Sequence, residues 1–204
     1  MKKKIVAILA LMFVLVGCGG GGISPLATDD LEGLSTEEQA EAIVENIELV
    51  ENPTIVIEDN SIAVMYAPTH TFDSRLVLSD HEETFPNVAM YLVEHLSVLD
   101  FDEIVVNAYK PVDVSGVDGL SRVAAHFTRS AIEGIDFDEW EETKERFPQN
   151  FYREADSYGI QGMIWDDLDE EDQNVIRRQH KNLVDSGSAF WEHYGRIVDL
   201  NEEN

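Results

Sequence analysis

The sequence predicts an α+β fold, with a small antiparallel sheet of about four strands packed against helices and a helical C-terminal third. Two segments alternate apolar and polar residues on either side of a turn, which is typical of β-hairpins. Segments with apolar residues three and four positions apart precede and separate these hairpins, and helical patterns dominate after about residue 130. We find no internal repeat and no second domain boundary, so residues 35–204 are expected to form one domain.

Two amphipathic helices are predicted in the first half of the chain. Ser35 and Glu38 have the spacing of a capping box, and an apolar stripe with helical spacing follows them. The second helix lies within residues 83–100, where Pro86 falls in the first turn and its missing N–H costs little. Each of the two helices should bury its apolar face.

The first hairpin is predicted over residues 54–67, with Asp59-Asn60 as a two-residue turn that tolerates positive φ. The second joins residues 102–112 to residues 120–130 through a glycine-containing turn. Residues 73–80 are a candidate for a further short strand.

The remaining predicted elements are helical. Ser130 and Glu133 have capping-box spacing and are expected to open this region, and residues 137–147 and 149–159 flank Pro148. Residues 169–184 and 188–200 then form the last two predicted helices. The apolar face of the final one contains five residues: Phe190, Trp191, Tyr194, Ile197 and Val198.

The first eighteen residues have the pattern of a secretory signal. Three lysines at positions 2–4 precede the apolar run 5–16, which is too short for a stable membrane span, and Gly17 supplies a small residue before Cys18. Leu15-Val16-Gly17-Cys18 resembles the lipobox of bacterial lipoproteins. The alternative is a buried cysteine in an uncleaved apolar helix, which the four glycines after Cys18 disfavour.

The resemblance implies that Cys18 receives a diacylglyceryl group and that a lipoprotein signal peptidase cuts between Gly17 and Cys18. Residues 1–17 would then be the signal peptide, and residues 18–34 would be the lipidated cysteine and a flexible tether with a reach of roughly 23 Å. Two acyl chains hold a protein stably on a membrane. We therefore expect a cell-membrane, lipid-anchored protein on the extracytoplasmic face. In length, tether and order of elements the chain also resembles small surface lipoproteins of Gram-positive bacteria.

The chain is strongly acidic, with 41 acidic and 14 basic residues and a formal net charge of −27. Loss of the three signal lysines would take the net charge of the mature protein to about −30, with only Lys110, Lys144 and Lys181 remaining as lysines. A lysine-poor, acid-rich surface indicates adaptation to a saline exterior, and the alternative is an ordinary acidic surface protein. Nucleic acid is not an expected partner, because binding it requires basic patches.

Acidic residues at 166–172 suggest a calcium loop, but the glycine that such a loop needs is absent. We favour an N-cap and first-turn acids of the following helix. The six histidines have no short metal-ligand spacing, although His95 and His126 could approach each other in the fold. Aromatic residues between 140 and 165 either pack in the core or line a groove, and core packing is the expectation. They are Trp140, Phe147, Phe151, Tyr152, Tyr158 and Trp165.

No motif for a catalytic triad, a zinc protease or a phosphate-binding loop is found. We therefore expect no catalytic residues, cofactor or metal, and a monomeric, non-enzymatic binding or accessory domain with an unidentified protein partner. The alternative is a small extracytoplasmic enzyme or cation-binding sensor. Its site would be assembled from scattered residues such as His126 and the acidic cluster 166–172.

Overall fold

A computed structural model describes residues 31–47, 50–68, 74–78, 84–114 and 117–179 of this protein. Within these residues the helices are α1 (Thr36–Glu45), α2 (Phe85–Leu96), α3 (Arg129–Ile132), α4 (Phe137–Thr143), α5 (Phe151–Glu154), α6 (Gly162–Asp167) and α7 (Glu170–Gln179). The strands are β1 (Val50–Glu58), β2 (Ser61–Pro68), β3 (Glu103–Val114), β4 (Val117–Thr128) and β5 (Ser157–Ile160).

The α+β class is confirmed, but the predicted antiparallel sheet of about four strands is wrong in two respects. The described sheet has five strands in the order β1-β2-β3-β4-β5, and β2 and β3 are parallel. The parallel pair arises because α2 lies between these strands in the chain, and a helical crossover returns the chain to the end where it began. The remaining pairs are antiparallel.

The first helix and the first turn form as their sequences predict. The Ser35 side chain accepts a hydrogen bond from the Glu38 N–H, and the Glu38 carboxylate accepts one from the Ser35 N–H at 2.8 Å. Asp59 and Asn60 have φ of 47° and 64°, as a two-residue hairpin turn with both central residues left-handed requires.

Three local predictions need correction. Residues 74–76 form a 3-10 turn, whereas the sequence suggested a strand over 73–80. The N-cap of α3 is Thr128, whose Oγ1 accepts from the Ala131 N–H at 3.3 Å, so Ser130 and Glu133 do not form a capping box. The helix expected at 149–159 does not extend to its predicted end, since residues 157–159 lie in β5.

The two faces of the sheet have different surroundings. The first face carries nine buried apolar residues of the central strands: Ile62, Val64, Tyr66, Ile104, Val106, Ala108, Val123, Ala125 and Phe127. The buried apolar residues of α1 to α7 belong to the same core cluster. On the second face, Ala63, Val105 and Ala124 form a small separate cluster with Val56 at its edge, and no described helix contributes to it.

The C-terminal third contains β5 as well as helices, and the described residues after β5 form α6 and α7, so the predicted helical C-terminal third holds only in part. The predicted final helix at 188–200 lies outside the described residues, as do the signal peptide, Cys18 and nearly all of the tether. None of the described helices is long and apolar enough to span a membrane.

Candidate functional site

A row of polar side chains crosses the second face of the sheet near one end of the central strands. Strand pairing places Ser61 of β2 beside Glu103 of β3, and His126 of β4 beside Ser157 of β5. His126 also pairs with Val105, two positions from Glu103 on the same face. The register of four strands therefore assembles this group, which we call the His126 cluster: Ser61, Glu103, His126 and Ser157.

The contacts within the His126 cluster are long. His126 Nε2 lies 3.8 Å from Glu103 Oε1, and the Ser61 hydroxyl donates to Glu103 Oε2 at 3.4 Å. The His126 side chain is 5% exposed and that of Glu103 is 31% exposed. A partly exposed carboxylate thus faces an imidazole that has almost no contact with water.

Two opposing effects act on the imidazole. Burial lowers the pKa of His126 because the charged form loses its hydration, and the negative charges of Glu103 and Asp156 oppose that shift. Burial is the larger effect, so the neutral form is favoured in the folded state. A neutral imidazole has one ring nitrogen that can accept a proton or a hydrogen bond, which the protonated form lacks.

Asp156, which immediately precedes β5, forms two hydrogen bonds to the end of β4 beside this cluster. Its Oδ2 accepts a hydrogen bond from the Thr128 N–H at 2.6 Å, and its own N–H donates to the His126 carbonyl at 3.0 Å. The carboxylate therefore closes the junction of β4 and β5 and also adds negative charge near His126.

The Ser157 hydroxyl is buried, and the structure gives it no hydrogen-bond partner. A buried hydroxyl without a partner is unfavourable, so it marks a place where a ligand group could bind. Further along the same face, Ser121 donates to Asn107 Oδ1 at 2.8 Å and Arg122 donates to Gln161 Oε1. The described residues contain no group of three His, Cys, Asp or Glu that could hold a metal ion.

Two of the six histidines lie within the described residues. His95 is on α2, where it stacks on Tyr91 at 4.0 Å and its Nδ1 lies 2.9 Å from the Tyr91 carbonyl. Since α2 packs on the first face and His126 lies on the second, the sheet separates them. The expectation that these two histidines could come together is therefore wrong. His70, His81, His180 and His193 lie outside the described residues.

The acidic cluster 166–172 is divided between two helices. Asp166 and Asp167 end α6, and Asp169 precedes α7, where its Oδ1 accepts from the Asp172 N–H at 2.9 Å. The predicted N-cap is thus confirmed at Asp169. Burial and the neighbouring charges of Asp169 and Glu171 raise the pKa of Asp172.

Most of the aromatic residues pack in the core, as expected. The Phe151 ring makes edge-to-face contacts with four others, those of Phe85, Phe127, Trp140 and Tyr152. Phe147 is the exception, since its side chain is exposed. Trp165 is half-buried and carries the Arg177 guanidinium 4.9 Å above its ring.

A shallow cleft of about 200 Å³ lies between α4 and the segment that leads into α5. Its polar lining is already engaged in local structure: Asp136 caps α4 by accepting from the Glu139 N–H, and Arg153 pairs with Glu154 at 2.8 Å. Sequence analysis did not single out this cleft, and its groups are those of ordinary helix ends.

Comparison of the chain with protein-family models, with curated proteins and with solved structures finds no match to any of them.

Proposed function

We propose that this chain is a lipid-anchored protein on the extracytoplasmic face of a bacterial membrane, and that its acidic domain binds or supports a protein partner. The observation that carries the proposal is the lipobox Leu15-Val16-Gly17-Cys18 at the end of a short apolar run. Lipidation at Cys18 supplies two acyl chains, enough for stable attachment.

The position of the first helix supports the tether in this proposal. The capping box at Ser35 opens α1, the first α-helix of the described residues, 17 positions after the proposed lipidated residue. That spacing lets the domain stand clear of the lipid headgroups while the anchor holds it near the surface.

The acidic character of the domain supports a binding role. Asp136, Asp156 and Asp169 each accept a backbone N–H at a helix start or strand junction, which is a structural task. The high negative charge favours a partner that is basic or neutral at its contact surface, because like charges repel across an interface.

The anchor is tested by replacing Cys18 with Ser in the full chain and following incorporation of labelled fatty acid. We expect the label to enter the parent chain and to be absent from Cys18→Ser. Ser24→Ala, in the same N-terminal region, is the matched control and should retain the label. Label in the Cys18→Ser protein would show that the anchor is elsewhere.

The binding role is tested by cross-linking the intact protein in its membrane and identifying what is attached. A single protein recovered with the parent chain, and lost when 1 M salt screens the acidic surface, is the expected result. Recovery of the same set of proteins with an unrelated acidic lipoprotein would contradict a specific partner.

A second candidate is a small extracytoplasmic enzyme or cation-binding sensor, which the His126 cluster favours. A buried imidazole beside a carboxylate and two hydroxyls supplies the groups that proton transfer or the binding of one polar ligand requires. The test is a thermal-shift titration with calcium and zinc chlorides in 1 M sodium chloride. A shift in the parent that disappears in His126→Gln supports this candidate, and equal responses of the two proteins contradict it.

A further inference from the structure

The centre of the second face of the sheet is buried, although the described helices lie on the other side. Val105 is fully buried at its centre, and the polar side chains of Asn107 and His126 are only 2% and 4% exposed. No described helix residue belongs to the apolar cluster on this face. Side chains stand roughly perpendicular to a sheet, so neighbours within the same sheet do not bury polar groups to this extent. A further layer of protein is needed to account for their exclusion from solvent.

The buried apolar cluster on this face is made of small residues. Ala63, Val105 and Ala124 lie at the centre, and Gly159 of β5 pairs with Ala124. Small side chains in this cluster leave room for large side chains of a covering layer, since protein interiors pack at nearly constant density. Polar side chains next to the apolar cluster, among them those of Arg122 and His126, carry hydrogen-bond donors.

Residues 180–204 have the properties that such a layer requires. The predicted helix at 188–200 places its three aromatic and two branched residues in one stripe, while Glu192, Arg196 and Asp199 fall on the opposite side. Thirteen helical residues extend about 20 Å. Five strands about 4.8 Å apart span roughly 19 Å, so the helix and the width of the sheet match.

The segment after Gln179 is also long enough to reach the second face of the sheet. Strand β5 is the edge strand of the described sheet on that side, and α6 follows it directly, with the Gln161 N–H donating to the Arg122 carbonyl at 2.8 Å. Helix α7 ends at Gln179. The eight residues between it and Ser188 reach up to about 28 Å when extended, enough to pass the β5 edge.

We propose that the segment 180–204 packs on the second face of the sheet, with the aromatic stripe of residues 190–198 above Ala63, Val105 and Ala124. The segment thereby closes a second core and covers the His126 cluster. This inference does not depend on lipidation or on the partner proposed above.

Cysteine cross-linking tests the proposal in the full chain with Cys18→Ser, which removes the only native thiol. Ala124→Cys is combined in turn with a cysteine at each stripe position and, as matched controls, with Glu192→Cys or Arg196→Cys. Mild oxidation should yield disulfides within one chain at one or more stripe positions and none at the two controls, as read by mass spectrometry. Disulfides at stripe and control positions alike, disulfides only between chains, or none at all would overturn the proposal.

A labelling experiment covers the case in which a cysteine pair disturbs folding. Ala63→Cys, introduced without a second cysteine into the Cys18→Ser chain, is labelled with a maleimide. Far-UV circular dichroism checks that each variant folds. Adding Trp191→Ser and Tyr194→Ser should raise the labelling rate at least tenfold, whereas adding Phe147→Ser, at an exposed aromatic of the described domain, should not. An unchanged rate with the double substitution, expected if residues 1–30 or a second copy cover the face, overturns the proposal.

Discussion

Two buried tyrosines differ in what their hydroxyls contact. The Tyr152 hydroxyl donates to the Val77 carbonyl at 2.8 Å and so fastens residues 74–78 to the core. The Tyr66 hydroxyl is equally buried, and the structure gives it no hydrogen-bond partner. Burial raises the pKa of both phenols, so both stay protonated across the ordinary pH range.

Replacing each tyrosine with phenylalanine should therefore have opposite effects. Tyr152→Phe leaves a buried carbonyl without its donor and should lower the free energy of unfolding by about 1–3 kcal/mol. Tyr66→Phe removes an unsatisfied hydroxyl and should be neutral or stabilising by about 1 kcal/mol. Urea unfolding of the two variants and of the parent measures both changes in the free energy of unfolding. Equal destabilisation would mean that the Tyr66 hydroxyl has a partner in solution.

His126 should also make stability depend on pH. Its pKa is lowered in the folded state by burial, so below the ordinary value of 6.5 the unfolded chain binds the proton more readily than the folded one. The stability due to the neutral imidazole is fully present above pH 6.5, the pKa of an ordinary histidine. It is lost as the pH falls from there toward the lower pKa of His126 in the folded state.

We therefore expect the parent to lose more stability than His126→Gln between pH 7.5 and 5.5, measured by urea midpoints at fixed ionic strength. Glu103→Gln removes a charge that favours protonation and should lower the pKa of His126 further, as read by NMR titration of its ring. A parental slope in His126→Gln would contradict the assignment.

Among the elements, α7 shows how acidic residues stabilise local structure in this chain. Asp169 caps the helix, Glu170, Glu171 and Asp172 lie in its first turn, and two arginines lie in its last. Negative charge at the N-terminus and positive charge at the C-terminus both complement the helix dipole. Four of the acidic residues that suggest calcium in the sequence, those at 169–172, thus have a structural role at the start of α7.

Asp169→Ala should accordingly cost about 1 kcal/mol of stability, since it removes the cap from the Asp172 N–H. Asp166→Ala, at an exposed position of α6, is the matched control and should change stability by less than about 0.5 kcal/mol. Chemical denaturation with circular dichroism at 222 nm gives both values. Equal losses, or a loss for Asp169→Ala that appears only when calcium is present, would point to a metal site instead.

At the scale of the whole molecule, charge is the dominant feature. A net charge of −27 is held in a chain of 204 residues, and folding brings these charges closer together than they are in the expanded chain. The described ion pairs of the lysine and arginines relieve little of this, since those of Lys144 and Arg153 join residues close in the sequence and the carboxylate that pairs with Arg129, that of Asp100, is fully exposed.

Added salt should therefore raise the melting temperature clearly. The screening length falls from about 30 Å at 0.01 M to about 3 Å at 1 M, so repulsion between exposed charges is largely removed. Sodium chloride alone should produce most of the rise, and millimolar calcium added in molar sodium chloride should add little. A flat response to sodium chloride with a large response to calcium would contradict salt adaptation and favour specific cation binding.

Features that depend on a few neighbouring residues could be predicted from the sequence. The capping box at Ser35, the Asp59-Asn60 turn, the first turn of α2 and the cap at Asp169 all form as predicted. Each is set by hydrogen bonds and backbone preferences within about four residues, which the sequence displays directly. The lipobox is local in the same sense, and lipidation of Cys18 stays a prediction.

The arrangement of these elements was decided by tertiary structure. The parallel pairing of β2 with β3 follows from where α2 packs, and β5 forms because the edge of β4 offers its backbone hydrogen bonds to a segment of only four residues. The His126 cluster likewise draws Ser61, Glu103 and Ser157 from distant parts of the chain through strand register. No spacing in the sequence encodes that register, because it is fixed only when one face of the sheet packs against the helices.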